Sequence, residues 1–202
     1  MSAAMATVIV PFRGADPKRR LDSLDQITRS RLAAAMLADV LEAAAAVGPV
    51  LVVAAEPPPL PRDVALVADP QRGLGAAVRA ALDAASDRSL QPPFLIVNAD
   101  LPCATARDLL ALAGALPEGG LALVAAADGT TNALALSSER LFEPVYGPGS
   151  AARFAGLAEC RRLDAPNLRD DVDTLADLAR IARRTGAHTR QILPSLHLGA
   201  AA

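Results

Sequence analysis

An α/β fold, with a mainly parallel sheet between two layers of helices, is what the sequence of this 202-residue chain predicts. Three observations carry that expectation. Short strand-like runs alternate with longer segments of helical spacing, the mark of repeated strand–helix–strand units. The runs themselves are apolar along their whole length, as strands covered on both faces must be. With 52% hydrophobic residues and 21% charged ones, the chain has ample material for a core and does not fit intrinsic disorder.

The elements follow in order. Ala6 to Val10 is a first buried strand, ended by Pro11 and followed by a loop from Phe12 to about Ser23. From Ile27 to Val47, Leu32, Met36, Leu37, Val40 and Leu41 recur at helical spacing, with Asp39 and Glu42 on the other side. Pro49 stops that helix, and a second strand runs through Pro49–Ala55. Pro57, Pro58, Pro59 and Pro61 form a rigid connector, because proline suits neither a helix interior nor a central strand. A third strand, Val64 to Ala68, leads through Gly73-Leu74-Gly75 into a helix from Ala76 to about Ser86.

Pro93-Phe-Leu-Ile-Val-Asn-Ala-Asp is a fourth strand ending at Asp100. Thr105 then caps a helix from Ala106 to Leu116, with Asp108 three residues on to complete a capping box. Strands through Leu121–Ala127 and Asn132–Ser137 flank Asp128-Gly129 and form an antiparallel insertion. A glycine-rich loop, Tyr146 to Ser150, introduces a short helix through Arg153, Phe154 and Leu157, and Cys160 to Asp164 is a last strand. Thr174 caps the final helix, Leu175 to Arg184, again with an acid, Asp177, in the capping-box position. A single domain over residues 1–186 is expected, with a loose tail over 187–202.

Composition removes several classes of function. Twenty basic and 22 acidic side chains give a net charge of −2, against the basic excess of a nucleic-acid binder. The longest uncharged apolar run, Ala43 to Ala55, has 13 residues and contains Gly48-Pro49, too short for a membrane span of about 20. The N-terminus has no basic region before its apolar run and reads as a strand rather than a signal peptide, so a cytoplasmic protein is expected. Two cysteines, Cys103 and Cys160, make neither a disulfide framework nor a cysteine-rich zinc site. Both histidines, His188 and His197, fall in the expected tail, so chemistry here must run on carboxylates, backbone amides and cations. One contrast is marked: 19 arginines stand against a single lysine, Lys18, whose compact ammonium differs from a guanidinium fork.

Open parallel sheets bind ligands at the carboxyl ends of their strands. That rule selects the loops Phe12–Ser23, Asp69–Gly75, Asn98–Pro102, Asp128–Asn132 and Asp170–Thr174. In the first, Arg13, Lys18, Arg19 and Arg20 surround Gly14, a cationic loop suited to phosphate. Gly73 and Gly75 precede a helix, where backbone amides point at an anion, although Val78 breaks the dinucleotide fingerprint. No phosphate-binding loop of the G-x-x-x-x-G-K-[ST] type is present. Asp100 ends an apolar strand at the mouth of the sheet, where a carboxylate serves either as a ligand to a divalent metal or as a turn former before Pro102. Asp171 and Asp173, two apart in an extended segment, share one side of the backbone. With Asp170 they crowd three acids before a helix, more than capping and the helix dipole require, so metal ligation is expected.

Taken in order, Lys18-Arg19-Arg20-Leu21, Gly73-Leu74-Gly75, Asn98-Ala99-Asp100-Leu101-Pro102, Gly129 to Leu134, Tyr146 to Ser150 and Asp171-Val172-Asp173-Thr174 resemble one known family. It is that of the 2-phospho-L-lactate guanylyltransferases, with their phosphoenolpyruvate guanylyltransferase members, and the resemblance spans residues 6 to 182. It implies a Rossmann-like three-layer fold of the nucleotide-diphospho-sugar transferase type. It implies transfer of GMP from GTP to a small phosphorylated three-carbon acid, with release of diphosphate, in coenzyme F-420 biosynthesis. By the same resemblance Asp100, Asp171 and Asp173 hold Mg²⁺, Lys18, Asp100 and Asp173 are catalytic, and Arg13, Lys18, Gly73 and Gly75 bind the nucleotide. Thr131, Gly147 and Ser150 bind the phospho-acid. The chain departs from the family pattern at Arg13, where lysine is frequent, at Gly75, where asparagine is frequent, and at Thr130, where glycine is usual. Two other readings stand beside this one: a nucleotidyltransferase of molybdenum-cofactor or sugar-phosphate type, and a non-catalytic nucleotide-binding module.

Overall fold

The structure, a computed structural model, describes residues 6–14, 21 and 24–196. Seven described strands form one sheet: β1 (Thr7–Pro11), β2 (Val50–Ala54), β3 (Val64–Ala68), β4 (Phe94–Val97), β5 (Leu121–Ala125), β6 (Thr131–Leu136) and β7 (Cys160–Arg162). Their order is β3-β2-β1-β4-β6-β5-β7. All neighbours pair in parallel except β6, which runs against β4 and β5. The helices are α1 (Gln26–Ala45), α2 (Leu74–Asp87), α3 (Ala106–Gly114), α4 (Ser150–Ala155), α5 (Pro166–Arg169), α6 (Leu175–Ile181) and α7 (Ala187–Ile192).

The apolar strands have the alternation their two-sided burial demands. Val8 and Val10 of β1, Val50 and Val52 of β2 and Leu95 and Val97 of β4 face one layer, with Leu37, Val40, Leu41 and Ala44 of α1 and Leu109 and Leu112 of α3. Ile9, Leu51, Val53, Phe94 and Ile96 face the other, against Ala77, Val78, Ala81 and Leu82 of α2 and Phe154 of α4. Each such Val, Leu, Ile or Phe side chain contributes about 1.5–3 kcal/mol by leaving water, which is why both faces must be covered and the strands read as uninterrupted apolar runs. A third cluster, with Leu32 and Met36 of α1, Val172, and Leu178 and Ile181 of α6, fills the other side of α1. That helix is therefore buried along two stripes.

Both expected capping boxes form. The Thr105 hydroxyl oxygen accepts from the Asp108 amide while the Asp108 carboxylate accepts from Thr105, and Thr174 and Asp177 repeat the arrangement at α6. Elsewhere the boundaries move. The fourth strand ends at Val97, three residues before Asp100, because Ala99 and Asp100 turn away from the sheet. Helix α2 begins at Leu74, inside the glycine segment, with Gly73 as its N-cap at φ +97°. Residues 166–169, outside the elements expected from the sequence, form α5 with Pro166 at its first turn, a position proline tolerates because its missing N–H would have no helical partner.

The expected tail is corrected over its first ten residues. Ala187–Ile192 forms α7, packed on α1, and Leu193–Leu196 closes it with a 3₁₀ turn that buries Leu196. The reason is Asp39, assigned by periodicity to the solvent side of α1. It is 3% exposed, and its two carboxylate oxygens accept the amides of His188 and Thr189, each at 2.9 Å. A carboxylate at a helix start satisfies the N–H groups the helix cannot, and that long-range contact has no local sequence signal. Residues 197–202 lie outside the described residues.

Candidate nucleotidyl-transfer site

The chain leaves β1 toward β2 and β3 on one side and returns to β4 on the other, so the ends of β1 and β4 lie side by side where the winding reverses. Ligands bind at such switch points. A cleft of about 180 Å³ opens there, with Phe12, Arg13 and Gly14 after β1, Asn98 and Asp100 after β4, and Leu74 and Asp173 along its walls.

Asp100, Asp171 and Asp173 converge at this edge: one carboxylate oxygen from each lies within 4.8 Å of the others. Backbone geometry brings them together. The Val172 amide donates to the Asp100 carbonyl oxygen at 3.1 Å, tying the α5–α6 loop to the end of β4, and the Val172 side chain is fully buried among Leu32, Met36 and Leu178. With Val172 turned into the core, extended spacing sends its neighbours Asp171 and Asp173 the other way. Burial pushes the Asp171 carboxyl up to about 6, reinforced by the charges of Asp100 and Asp173 and opposed by a hydrogen bond from the Asn132 side chain. Three convergent carboxylates of this kind are a donor set for a hard divalent cation, which takes oxygen ligands.

Asp170 does not join them. It is held by Arg180 at 3.3 Å, Arg169 at 3.5 Å and a short contact to Arg184, and against the opposing effect of burial the hydrogen bonds and charges of Arg184 and Arg180 draw its carboxyl below the ordinary value. The expected crowd of three acids is thus divided, one anchoring the loop and two facing the site.

The other expected residues fall into two groups. Arg13 is exposed beside the acidic triad, while Lys18, Asp16, Arg19 and Arg20 lie outside the described residues. Gly73, Gly75 and Arg72 border a second cleft of about 570 Å³, which continues past Leu74 to Pro144 and Tyr146. A Cβ on Gly75 would stand 2.5 Å from the Pro144 Cβ, so this chain has no room for the frequent asparagine without moving Pro144. At Gly73 a Cβ would meet open space, and its φ of +97° is what favours glycine.

Thr131 and Ser150 are brought together, their hydroxyl oxygens 3.2 Å apart, and both are buried. Gly147 lies at the near end of the same loop, at φ +106°. Its course is set by a residue the sequence did not single out: Arg153 donates to the carbonyl oxygens of Val145, Tyr146 and Pro148. Three of the five aromatic rings, Phe142, Tyr146 and Phe154, pack together under this segment, with Tyr146 edge-on to Phe154 at 5.0 Å. Asn98 and Asn132 were also missed as site residues. The available signal was a polar amide opening an otherwise apolar strand, Asn132-Ala-Leu-Ala-Leu.

Comparison with known proteins agrees with this architecture. The family model of the MobA-like NTP transferase domain matches residues 20–184. The phosphoenolpyruvate guanylyltransferase of Sphaerobacter thermophilus is 39% identical over 152 residues, covering 70% of this chain and 73% of that protein. That of Nocardia farcinica is 34% identical over 94% of this chain and 91% of its own length. The 3-phospho-D-glycerate guanylyltransferase of Phenylobacterium zucineum is 32% identical, over 95% and 97%. Among solved structures, one described as a nucleotide-diphospho-sugar transferase from Desulfovibrio desulfuricans superposes with a TM-score of 0.72 over 94% of each chain, at 16% identity, a likeness of fold. By its family model and its relatives, this chain belongs to the phosphoenolpyruvate and 2-phospho-L-lactate guanylyltransferase family of MobA-like NTP transferases, a family of nucleotidyltransferases.

Proposed function

We propose that this protein transfers GMP from GTP to phosphoenolpyruvate, or to 2-phospho-L-lactate, releasing diphosphate, and that the product enters coenzyme F-420 biosynthesis. The observation that carries this reading is the convergence of Asp100, Asp171 and Asp173 beside the cleft at the switch point. The names of the relatives support guanylyl transfer to a small phosphorylated acid. A cytoplasmic location goes with it, and no described helix is long and apolar enough to cross a membrane.

A phosphate oxygen of the acceptor attacks the α-phosphorus of GTP. The new P–O bond forms as the bond to the β-phosphate bridging oxygen breaks, and that electron pair leaves with diphosphate. The attacking oxygen is already ionised, so no general base is needed, in keeping with a chain whose two histidines lie at residues 188 and 197. Bringing two polyanions together is the difficulty, and positioning and electrostatic stabilisation address it. Asp100, Asp171 and Asp173 would hold Mg²⁺, which when bound neutralises phosphate charge and fixes phosphate geometry. Arg13 and Lys18 meet the triphosphate, and the first turn of α2, opened by Gly73 without a side-chain cap, offers free amides to it. The loop from Gly147 to Ser150, braced by Arg153 and by the Thr131–Ser150 contact, receives the phospho-acid.

An acceptor panel tests this directly. GTP and Mg²⁺ with phosphoenolpyruvate, 2-phospho-L-lactate or 3-phospho-D-glycerate should give diphosphate and a product of guanylylated mass with one of the first two. Turnover with 3-phospho-D-glycerate alone would reassign the acceptor. No diphosphate with any of them would favour the non-catalytic reading.

A further inference from the structure

Strand β6 is the one reversed strand of the described sheet, and its reversal has a consequence at the site. A parallel strand delivers its last residues to the ligand edge; an antiparallel one delivers its first. In the β4–β6 ladder Val97 pairs with Ala133, and the Asn98 amide continues it by donating to the Asn132 carbonyl oxygen at 3.0 Å. Asn98 and Asn132 therefore face each other across the end of the ladder, directly beside the acidic triad.

Asn132 is 2% exposed, so its side-chain amide must find partners within the protein. Nδ2 donates to the Arg169 carbonyl oxygen at 2.9 Å and to Asp171 Oδ1 at 3.3 Å. Oδ1 accepts from Asn98 Nδ2 at 3.3 Å, and Asn98 Nδ2 also lies 3.4 Å from the Thr131 carbonyl oxygen. A backbone carbonyl only accepts, so Arg169 fixes which end of the Asn132 amide faces the α5–α6 loop.

We propose that Asn132 is a positioning residue, which holds the Asp171 carboxylate toward Asp100 and Asp173 so that ligands from two loops are aligned before a divalent cation binds. The inference rests on the proposed metal-dependent transfer. An amide is the side chain suited to this place. A carboxylate would add a fourth negative charge, and an apolar group would leave both the Arg169 carbonyl and Asp171 without this donor. Partners that orient a metal ligand commonly govern its affinity, with losses of about 10–100-fold when they are removed.

Mn²⁺ binding, followed by electron paramagnetic resonance with and without a non-hydrolysable GTP analogue, separates positioning from plain structural support. Asn132→Ala should weaken Mn²⁺ by about 10–100-fold and raise the Mg²⁺ concentration for half-maximal activity by a similar factor. Circular dichroism should match the wild type. Asn98→Ala keeps the donor to Asp171 and frees only the far end of the amide, so it should weaken Mn²⁺ measurably, by about two- to tenfold. It also gives a second measurement should Asn132→Ala fail to fold. Wild-type Mn²⁺ affinity in the folded variants would overturn the role of Asn132, even if they melt earlier. Asp100→Asn tests the underlying reading separately: if it binds Mn²⁺ as the wild type does, or if the wild type binds none, the metal site itself fails.

Discussion

Two side-chain groups among the described residues bring three potential ligands close enough to bracket a cation: Asp100, Asp171 and Asp173 at the carboxyl edge of the sheet, and Asp39, Glu42 and His188 between α1 and α7. Counted as ligands they look equivalent, and their surroundings make them opposites. Asp39 spends one oxygen on the His188 amide and the other on the Thr189 amide. The backbone at Gly186 lies against the same carboxylate so closely that no Cβ would fit. Glu42 and His188 are exposed and meet at 3.6 Å as a surface pair. In the triad, Asp171 is half-buried beside two further carboxylates, with the Asn132 amide as its side-chain donor, and its carboxyl is pushed up to about 6. A buried carboxylate saturated by amides is a structural cap; a half-buried one surrounded by its own kind is matched to a cation.

The sharpest break in this contrast comes from isosteric neutralisation. Asp100→Asn and Asp173→Asn should each lower turnover by at least about a hundredfold at saturating Mg²⁺, through several kcal/mol of lost charge stabilisation. Their circular dichroism should be unchanged. Near-normal steady-state rates in either would remove that residue from the ligand set.

Asp39→Ala should behave in the reverse way. Two amides at the start of α7, one of them buried, lose their acceptor, at a cost of about 2–3 kcal/mol, which corresponds to a melting temperature lower by roughly 5–10 °C for a chain of this size. Turnover at a temperature where the variant is folded should stay within about twofold of the wild type, because ordinary structural losses act on the folded fraction. A collapse of activity with an unchanged melt would mean that α7 reports to the site.

Lys18 tests the cationic side of the open site. Lys18→Ala should raise the KM for GTP by about tenfold and lower kcat, the loss of one strong charge-assisted contact, with the acceptor KM changing less. Lys18→Arg should rescue only in part, since a planar fork does not substitute for a compact ammonium. Full rescue would reduce the chain's single lysine to a generic cation.

The smallest effect is expected at the Thr131–Ser150 pair. Ser150→Ala removes one buried hydroxyl contact, worth about 1 kcal/mol. Its kinetic signature should be a KM for the phospho-acid raised several-fold more than the KM for GTP. Equal shifts in both would assign the pair to packing alone.

By itself the sequence determined the parts whose causes are local. Apolar runs bounded by proline and glycine marked six of the seven strands, and Thr105 and Thr174 marked two capped helices with their acids in place. The i, i+2 spacing of Asp171 and Asp173 put both on one side of an extended segment, and the strand-end rule put Asp100 at the same edge. Only the tertiary structure decided which acid goes where. Asp170 turned to three arginines, Asp39 was buried by a helix that periodicity did not reveal, and Asn132 entered the site because β6 runs backwards. Those outcomes depend on partners 34 to 150 residues away for Asn132 and Asp39, and on packing between separate helices for Asp170. Local propensity is written in neighbouring residues, whereas the partner of a buried polar group is chosen by the geometry of the folded chain.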